Sequence, residues 1–127
     1  MSNPFEIAGN SAKPQGGRPV GEVNKNDPLQ KRVDSLVKSA DLFLFMKGEP
    51  EMPQCGFSAN IIGLLNQAGA PFRTFDILSD QDIRQGAKDY ANWPTFPQLY
   101  FKGEFLGGND IITEMFQSGE LQKILTP

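Results

Sequence analysis

Leu42-Phe43-Leu44-Phe45-Met46-Lys47-Gly48-Glu49-Pro50-Glu51-Met52-Pro53-Gln54-Cys55-Gly56-Phe57-Ser58 is the stretch on which the reading of this chain turns. Its first part, Asp41 to Met46, is a short apolar run of the kind that forms a strand buried on both faces. Gly48, Pro50 and Pro53 then predict a loop over 47–53. From about Cys55 to Gln67 the apolar residues Ile61, Ile62, Leu64 and Leu65 predict a helix, which Gly69 ends with Pro71 just beyond. The single cysteine of the chain therefore falls where a strand gives way to a helix. A helix start lowers the energy of an anion, and the thiolate is the reactive, metal-binding form of cysteine. The residue three further on is Ser58 rather than a second cysteine. The layout is that of a dithiol redox motif without its resolving thiol, so any further thiol must come from another molecule.

On the N-terminal side, regular structure is expected to begin near Asp27. Asn26 or Asp27 can cap a helix, Pro28 suits its first turn, and Leu29, Val33, Leu36 and Val37 repeat at helical spacing. Residues 1–26 carry Gly9, Gly16, Gly17 and Gly21 with Pro4, Pro14 and Pro19 and few apolar residues, and they read as a disordered tail. They lack the apolar core of a signal peptide, and with Glu6, Glu22 and only Arg18 they make a poor organelle presequence.

On the C-terminal side, residues 72–78 read as a second strand, with Phe72, Phe75 and Ile77 apolar. Ser79-Asp80-Gln81-Asp82 gives a capping-box-like start to a helix that runs to about Tyr90. Trp93-Pro94-Thr95-Phe96-Pro97 forbids helix and predicts a rigid loop. Two short strands, 98–101 and 104–106, flank the tight turn Lys102-Gly103. Gly107-Gly108-Asn109-Asp110 turns the chain into a helix expected to point Ile111, Ile112, Met115 and Phe116 inward, with one more helical turn over 120–125. The order α-β-α-β-α-β-β-α predicts an α/β domain over 27–127. It would have a thioredoxin-like fold, a central four-stranded mixed sheet flanked by helices.

At 127 residues the chain has room for one ordinary domain. A net charge of -3 without a Lys/Arg cluster argues against a general nucleic-acid binder. No apolar run is long enough to span a bilayer, and there is no basic amphipathic helix for a membrane surface. One cysteine excludes an internal disulfide and fits a reducing compartment, the cytoplasm ahead of mitochondrion or plastid. With no histidine, a Ser-His-Asp triad, a Cys-His pair and histidine metal ligands are all excluded. The chemistry must run on Cys55, carboxylates, lysines and backbone groups.

A helix terminus stabilises a thiolate by about 0.3–1 kcal/mol, roughly one pKa unit or less. More than that needs a nearby cation. Lys47 is the candidate, at the C-terminal end of the preceding strand, the sheet edge where α/β proteins place their sites. The alternative for Cys55 is a small buried core position, for which Gly56 and Ser58 are unusual neighbours. An X-Pro bond is cis in about 5% of cases, and composition offers no better odds for Phe96-Pro97. A cis bond there would expose the Phe96 backbone to a peptide-like ligand. Trp93 suits core or rim packing. Gly107-Gly108 either lets backbone approach a ligand closely at a helix start or forms an ordinary turn with an Asx cap. Arg84 and Lys88, four apart on one helix, form either a solvated face or a cradle for a carboxylate.

Lys47-Gly48, Pro53 to Ser58, Asn92 to Gln98 and Gly107-Gly108-Asn109-Asp110, in that order and with matching gaps, closely resemble the monothiol glutaredoxins of the Cys-Gly-Phe-Ser class. The resemblance covers about Pro28 to Leu125. It implies a glutaredoxin fold with a groove for glutathione. Lys47 and Arg84 would contact the glycine carboxylate, with Lys88 as an extra contact. The Phe96 backbone, with Pro97 cis, would pair with the cysteinyl peptide group. Asn109 and Asp110 would take the γ-glutamyl end, and Thr95 and Gly108 would line the groove. The family is associated with a [2Fe-2S] cluster held across a homodimer by Cys55 of each chain and two glutathione thiolates. The apo-protein would be a monomer, and BolA-type proteins and apo iron-sulfur proteins would be its partners. A carrier that delivers the cluster is the function implied first. A glutathione-dependent thiol-disulfide oxidoreductase with Cys55 as nucleophile is the alternative. Gly56 and Phe57, where efficient dithiol glutaredoxins usually have Pro and Tyr, favour the carrier. Many members carry a second cysteine where this chain has Asn109, so an internal disulfide is unavailable here.

Overall fold

In the computed structural model, which describes residues 26–126, the elements follow one another as α1 (Pro28–Val37), β1 (Leu42–Met46), β2 (Gly48–Glu49), β3 (Met52–Pro53), α2 (Gly56–Ala68), β4 (Arg73–Asp76), a 3-10 turn (Ile77–Ser79), α3 (Gln81–Ala91), β5 (Gln98–Phe101), β6 (Glu104–Gly107), α4 (Asn109–Ser118) and α5 (Glu120–Leu125). All five residues of β1 are buried, as its unbroken apolar run requires. Successive strand side chains point to opposite faces. Phe43 and Phe45 thus enter a core shared with α1 and α3, while Leu42, Leu44 and Met46 enter a second core against α2, α4 and α5. One central strand thereby organises both layers.

β1 pairs in parallel with β4, Phe45 opposite Phe75, and antiparallel with β5, Leu44 opposite Leu99. β6 completes a four-stranded mixed sheet in the order β4-β1-β5-β6. The expected β-α-β unit and terminal hairpin are both present, in a thioredoxin-like architecture. Asp27 caps α1, its carboxylate accepting from the Leu29 N–H at 2.9 Å. Asp80, not Ser79, caps α3, accepting from the Ile83 N–H at 3.0 Å. The expected disordered tail lies outside the described residues except for Asn26.

Three expectations need correction. The loop predicted over 47–53 contains a small hairpin, Gly48 opposite Pro53 and Glu49 opposite Met52. Two-residue strands have no alternation that a sequence could display. The strand expected over 72–78 ends at Asp76, because the Asp76 carboxylate accepts from the Leu78 N–H at 2.9 Å and bends the chain into the 3-10 turn. Ile111, expected inside, is 39% exposed, whereas Ile112 is fully buried.

Candidate functional site

Cys55 sits at the N-cap of α2 with extended backbone, and its thiol is partly exposed. Partial burial pushes the thiol up, but the Ser58 and Phe57 backbone N–H groups, the Lys47 ammonium and the Ser58 hydroxyl together outweigh it. The thiol therefore titrates below the usual cysteine range. The packing alternative for Cys55 is thus set aside, and Lys47 supplies the expected cation. Ser58 itself is fully buried, and its Oγ accepts from the Lys47 N–H at 3.1 Å. The hydroxyl that stands where a dithiol motif would place its second sulfur thus ties the first turn of α2 to the end of β1.

Ser58→Ala removes that acceptor and one donor to the sulfur. Alkylation of Cys55 by iodoacetamide at neutral pH should slow about threefold to tenfold, the net worth of one ordinary hydrogen bond. The alkylation profile should move to higher pH. An unchanged profile would show that the backbone N–H groups and Lys47 hold the thiolate without the Ser58 hydroxyl. In the wild type the native state favours the thiolate. Its contribution to stability is therefore complete above the pKa of the unfolded thiol and is lost as pH falls through the lower native value.

Gly48 permits the tight path just after Lys47. Its φ is +92°, and a Cβ there would lie 2.6 Å from the Met52 carbonyl oxygen. The Gly48 N–H donates to the Asp76 carboxylate at 2.8 Å, and the Gln54 N–H donates to the Lys47 carbonyl at 2.8 Å. The segment that delivers Cys55 is thus anchored to β1 and β4.

The facing wall is the Trp93–Pro97 loop. The Phe96-Pro97 bond is cis. Gln98 is fully buried, and its Nε2 donates to the Trp93 and Thr95 carbonyls, both at 3.1 Å. This side chain braces the loop from beneath. The Gly107-Gly108 turn lies directly against it. A Cβ on Gly108 would sit 3.1 Å from Trp93 Nε1 and 3.4 Å from the Pro97 carbonyl oxygen, so the close approach depends on glycine. α4 then starts at Asn109 with Gly108 as N-cap and no side-chain cap bond. The Asx cap considered for this turn is absent.

Between these walls lies an open groove of about 340 Å³. Of the expected ligand residues it brings together Thr95, Phe96, Gly108, Asn109 and Asp110, joined by Phe57, Trp93 and Ile111. Trp93 is therefore at the rim, packed on Phe105 at 5.4 Å between ring centroids. Lys47, Cys55, Arg84 and Pro97 are not among the lining residues. Lys47 acts on the thiol instead, Pro97 is buried with its carbonyl against Gly108, and Arg84 is half-buried on α3. Sequence reasoning missed three apolar side chains around the site: Met52 (68% exposed), Phe57 (61%) and Ile111. Nothing in their residue types marks them as exposed. It also missed Gln98, a glutamine in a strand, where a buried polar side chain leaves no pattern.

A thioredoxin-type sheet that presents one activated thiol at a helix start, facing a cis-proline loop, defines a class of thiol-redox proteins. Comparison narrows the class: the glutaredoxin family model matches residues 42–106. The ycf64-like monothiol glutaredoxin of Synechocystis sp. is 53% identical over 79% of this chain and 94% of its own length. The solution structure of reduced poplar apo GrxS14 is 49% identical, with a TM-score of 0.67 over 76% of this chain and 88% of that one. The crystal structure of a buckwheat glutaredoxin-glutathione complex is 26% identical, with a TM-score of 0.68 over 77% and 87%. The chain belongs to the glutaredoxin family, and its curated relatives include several monothiol glutaredoxins. It spans between 20% and 40% of longer relatives from rice and fission yeast.

Proposed function

We propose that this chain binds glutathione and carries a labile [2Fe-2S] cluster that it delivers to apo-proteins, with residues 27–127 as the working domain. The reading rests on a half-exposed sulfur that favours its anion, beside an open groove, in a chain with no second cysteine and no histidine. A thiolate-held [2Fe-2S] cluster takes four sulfur ligands. Among the described residues no group of three or more His, Cys, Asp or Glu could hold a metal ion. Cys55 therefore fits as one shared ligand, completed by Cys55 of a second chain and two glutathione thiolates.

The residues fit the tripeptide chemically. Asp110 suits the γ-glutamyl ammonium, the Phe96 backbone suits the cysteinyl peptide group, and Thr95, Gly108 and Asn109 border the same groove. Lys47, beside the thiol, takes the glycine carboxylate, with Arg84 and Lys88 of α3 as the further cations offered to it. Glutaredoxins use glutathione, and the related buckwheat protein was solved in complex with it. The exposed Met52, Phe57 and Ile111 would be covered when two chains meet over a cluster, and the apo form is a monomer. A BolA-type protein replaces one chain of that pair. The cytoplasm, a reducing compartment, suits a free thiol.

The lowered thiol also supports the second reading, an oxidoreductase. There the Cys55 thiolate attacks the glutathione sulfur of a protein mixed disulfide and releases the protein thiolate. A second glutathione then attacks the Cys55-glutathione disulfide, restoring the thiolate and leaving oxidised glutathione. Anaerobic reconstitution from iron, sulfide and glutathione separates the two. A coloured dimer whose colour requires glutathione is expected. A colourless monomer with rapid mixed-disulfide turnover would overturn the carrier.

A further inference from the structure

Helices α2 and α4 are joined at the groove by hydrogen bonds that run in one direction. Asn60 Nδ2, exposed on α2, donates to Asn109 Oδ1 at 2.8 Å and to Thr113 Oγ1 at 2.9 Å. Asn109 Nδ2 donates in turn to Asp110 Oδ1 at 3.2 Å. Thr113 Oγ1 donates to the Asn109 carbonyl at 2.8 Å. Donor chemistry forces this polarity. The single hydroxyl proton of Thr113 is spent on the Asn109 carbonyl, so its oxygen can only accept, and the Asn60 group facing it must be the NH2. A carboxylate only accepts, so Asn109 must turn its own NH2 to Asp110 and its oxygen to Asn60. No amide in the chain of contacts can rotate without setting donor against donor or acceptor against acceptor.

We propose that Asn60 is a positioning residue for recognition of the ligand's ammonium group. It holds the Asn109 amide, and the Asn109 amide holds one oxygen of Asp110, a residue that lines the groove. The inference rests on the reading that the groove takes glutathione with its γ-glutamyl end at Asp110. Asn60 stands on the helix whose start carries Cys55, and Asp110 on the start of α4. The bridge therefore ties the helix that carries the sulfur to the helix that carries the carboxylate, between which the ligand's central cysteinyl group and its γ-glutamyl end must fit. The Asn109 side chain that takes part in this bridge occupies the position where many members of the Cys-Gly-Phe-Ser class have a thiol, which could not donate to Asp110 in the same way.

The test is calorimetric titration of the whole chain, wild type and Asn60→Ala, with glutathione and with glutaryl-cysteinyl-glycine, which lacks the ammonium. Asn60 is exposed, so truncation leaves no cavity and the variant should stay folded, which a melting curve checks. The wild type should prefer glutathione. Asn60→Ala should weaken glutathione binding about twofold to tenfold, the net worth of one hydrogen bond, and leave the analogue's affinity unchanged. Thr113→Val should act in the same direction. Unchanged glutathione affinity, or equal losses for both ligands, overturns the positioning role. A wild type that takes up neither ligand overturns the glutathione reading itself, and the role with it.

Discussion

Cys55→Ser should abolish cluster uptake and reduce glutathione-dependent thiol exchange by about a thousandfold or more, the scale on which loss of a nucleophile is felt. The substitution is close to isosteric, and the sulfur is only partly buried, so the fold has no reason to change. What changes is the anion. The N–H groups of Ser58 and Phe57 and the Lys47 charge stabilise the thiolate and hold the thiol below the usual cysteine range. The same groups cannot bring an alkoxide, many pKa units further away, into that range. Serine therefore offers neither a soft ligand for iron nor a nucleophile for a disulfide. With no other cysteine in the chain, nothing can substitute. The measurement is visible absorbance with iron and sulfide content after anaerobic reconstitution, alongside a mixed-disulfide turnover assay and a melting curve. A serine variant that keeps its colour would falsify the assignment of Cys55 as the cluster ligand.

The second large effect is on stability. Phe45 is fully buried at the centre of β1. Its ring meets Phe43 at 5.0 Å, Tyr100 at 6.1 Å, Phe75 at 6.4 Å and Phe96 at 6.5 Å, each edge-on. These contacts join β4, β1 and β5 with the loop that walls the groove. Phe45→Ala leaves a cavity that close-packed aromatic neighbours cannot fill, at a cost of about 3–5 kcal/mol. Typical domain stability is about 5–15 kcal/mol, so this one change consumes a large part of it. In urea the unfolding midpoint should fall steeply with little change in slope. Phe96 would also lose its inner support, so glutathione affinity should drop in the fraction that remains folded. A loss below about 1 kcal/mol would show that the ring cluster repacks around the gap.

Much of the fold was legible because its signals are local. The apolar run 42–46 read as a strand buried on both sides, as it is, and Pro28, Gly69 and the Lys102-Gly103 turn marked ends that the structure keeps. Asp76 shows where this stops. Its residue type suits both a strand end and a turn. The choice fell to two N–H groups, those of Gly48 and Leu78, one of them far away in sequence. Ile111 and Ile112 are indistinguishable as residues, yet one is exposed at the groove and the other buried. Helical periodicity locates an apolar face only to within about one residue. Asn60 carried no signal at all, because its role exists only through partners on another helix.

The order of residues alone settled the alternation of helix and strand, the single sulfur at a helix start and the exclusion of histidine chemistry, since each depends on neighbours along the chain or on mere presence. Only the folded arrangement decided that the sulfur would be partly exposed and inclined to ionise, that Gly108 would close against Trp93 and Pro97, and that Asn60 would reach Asn109. Those outcomes depend on distances between segments far apart in sequence, set by how the two cores pack on either side of β1.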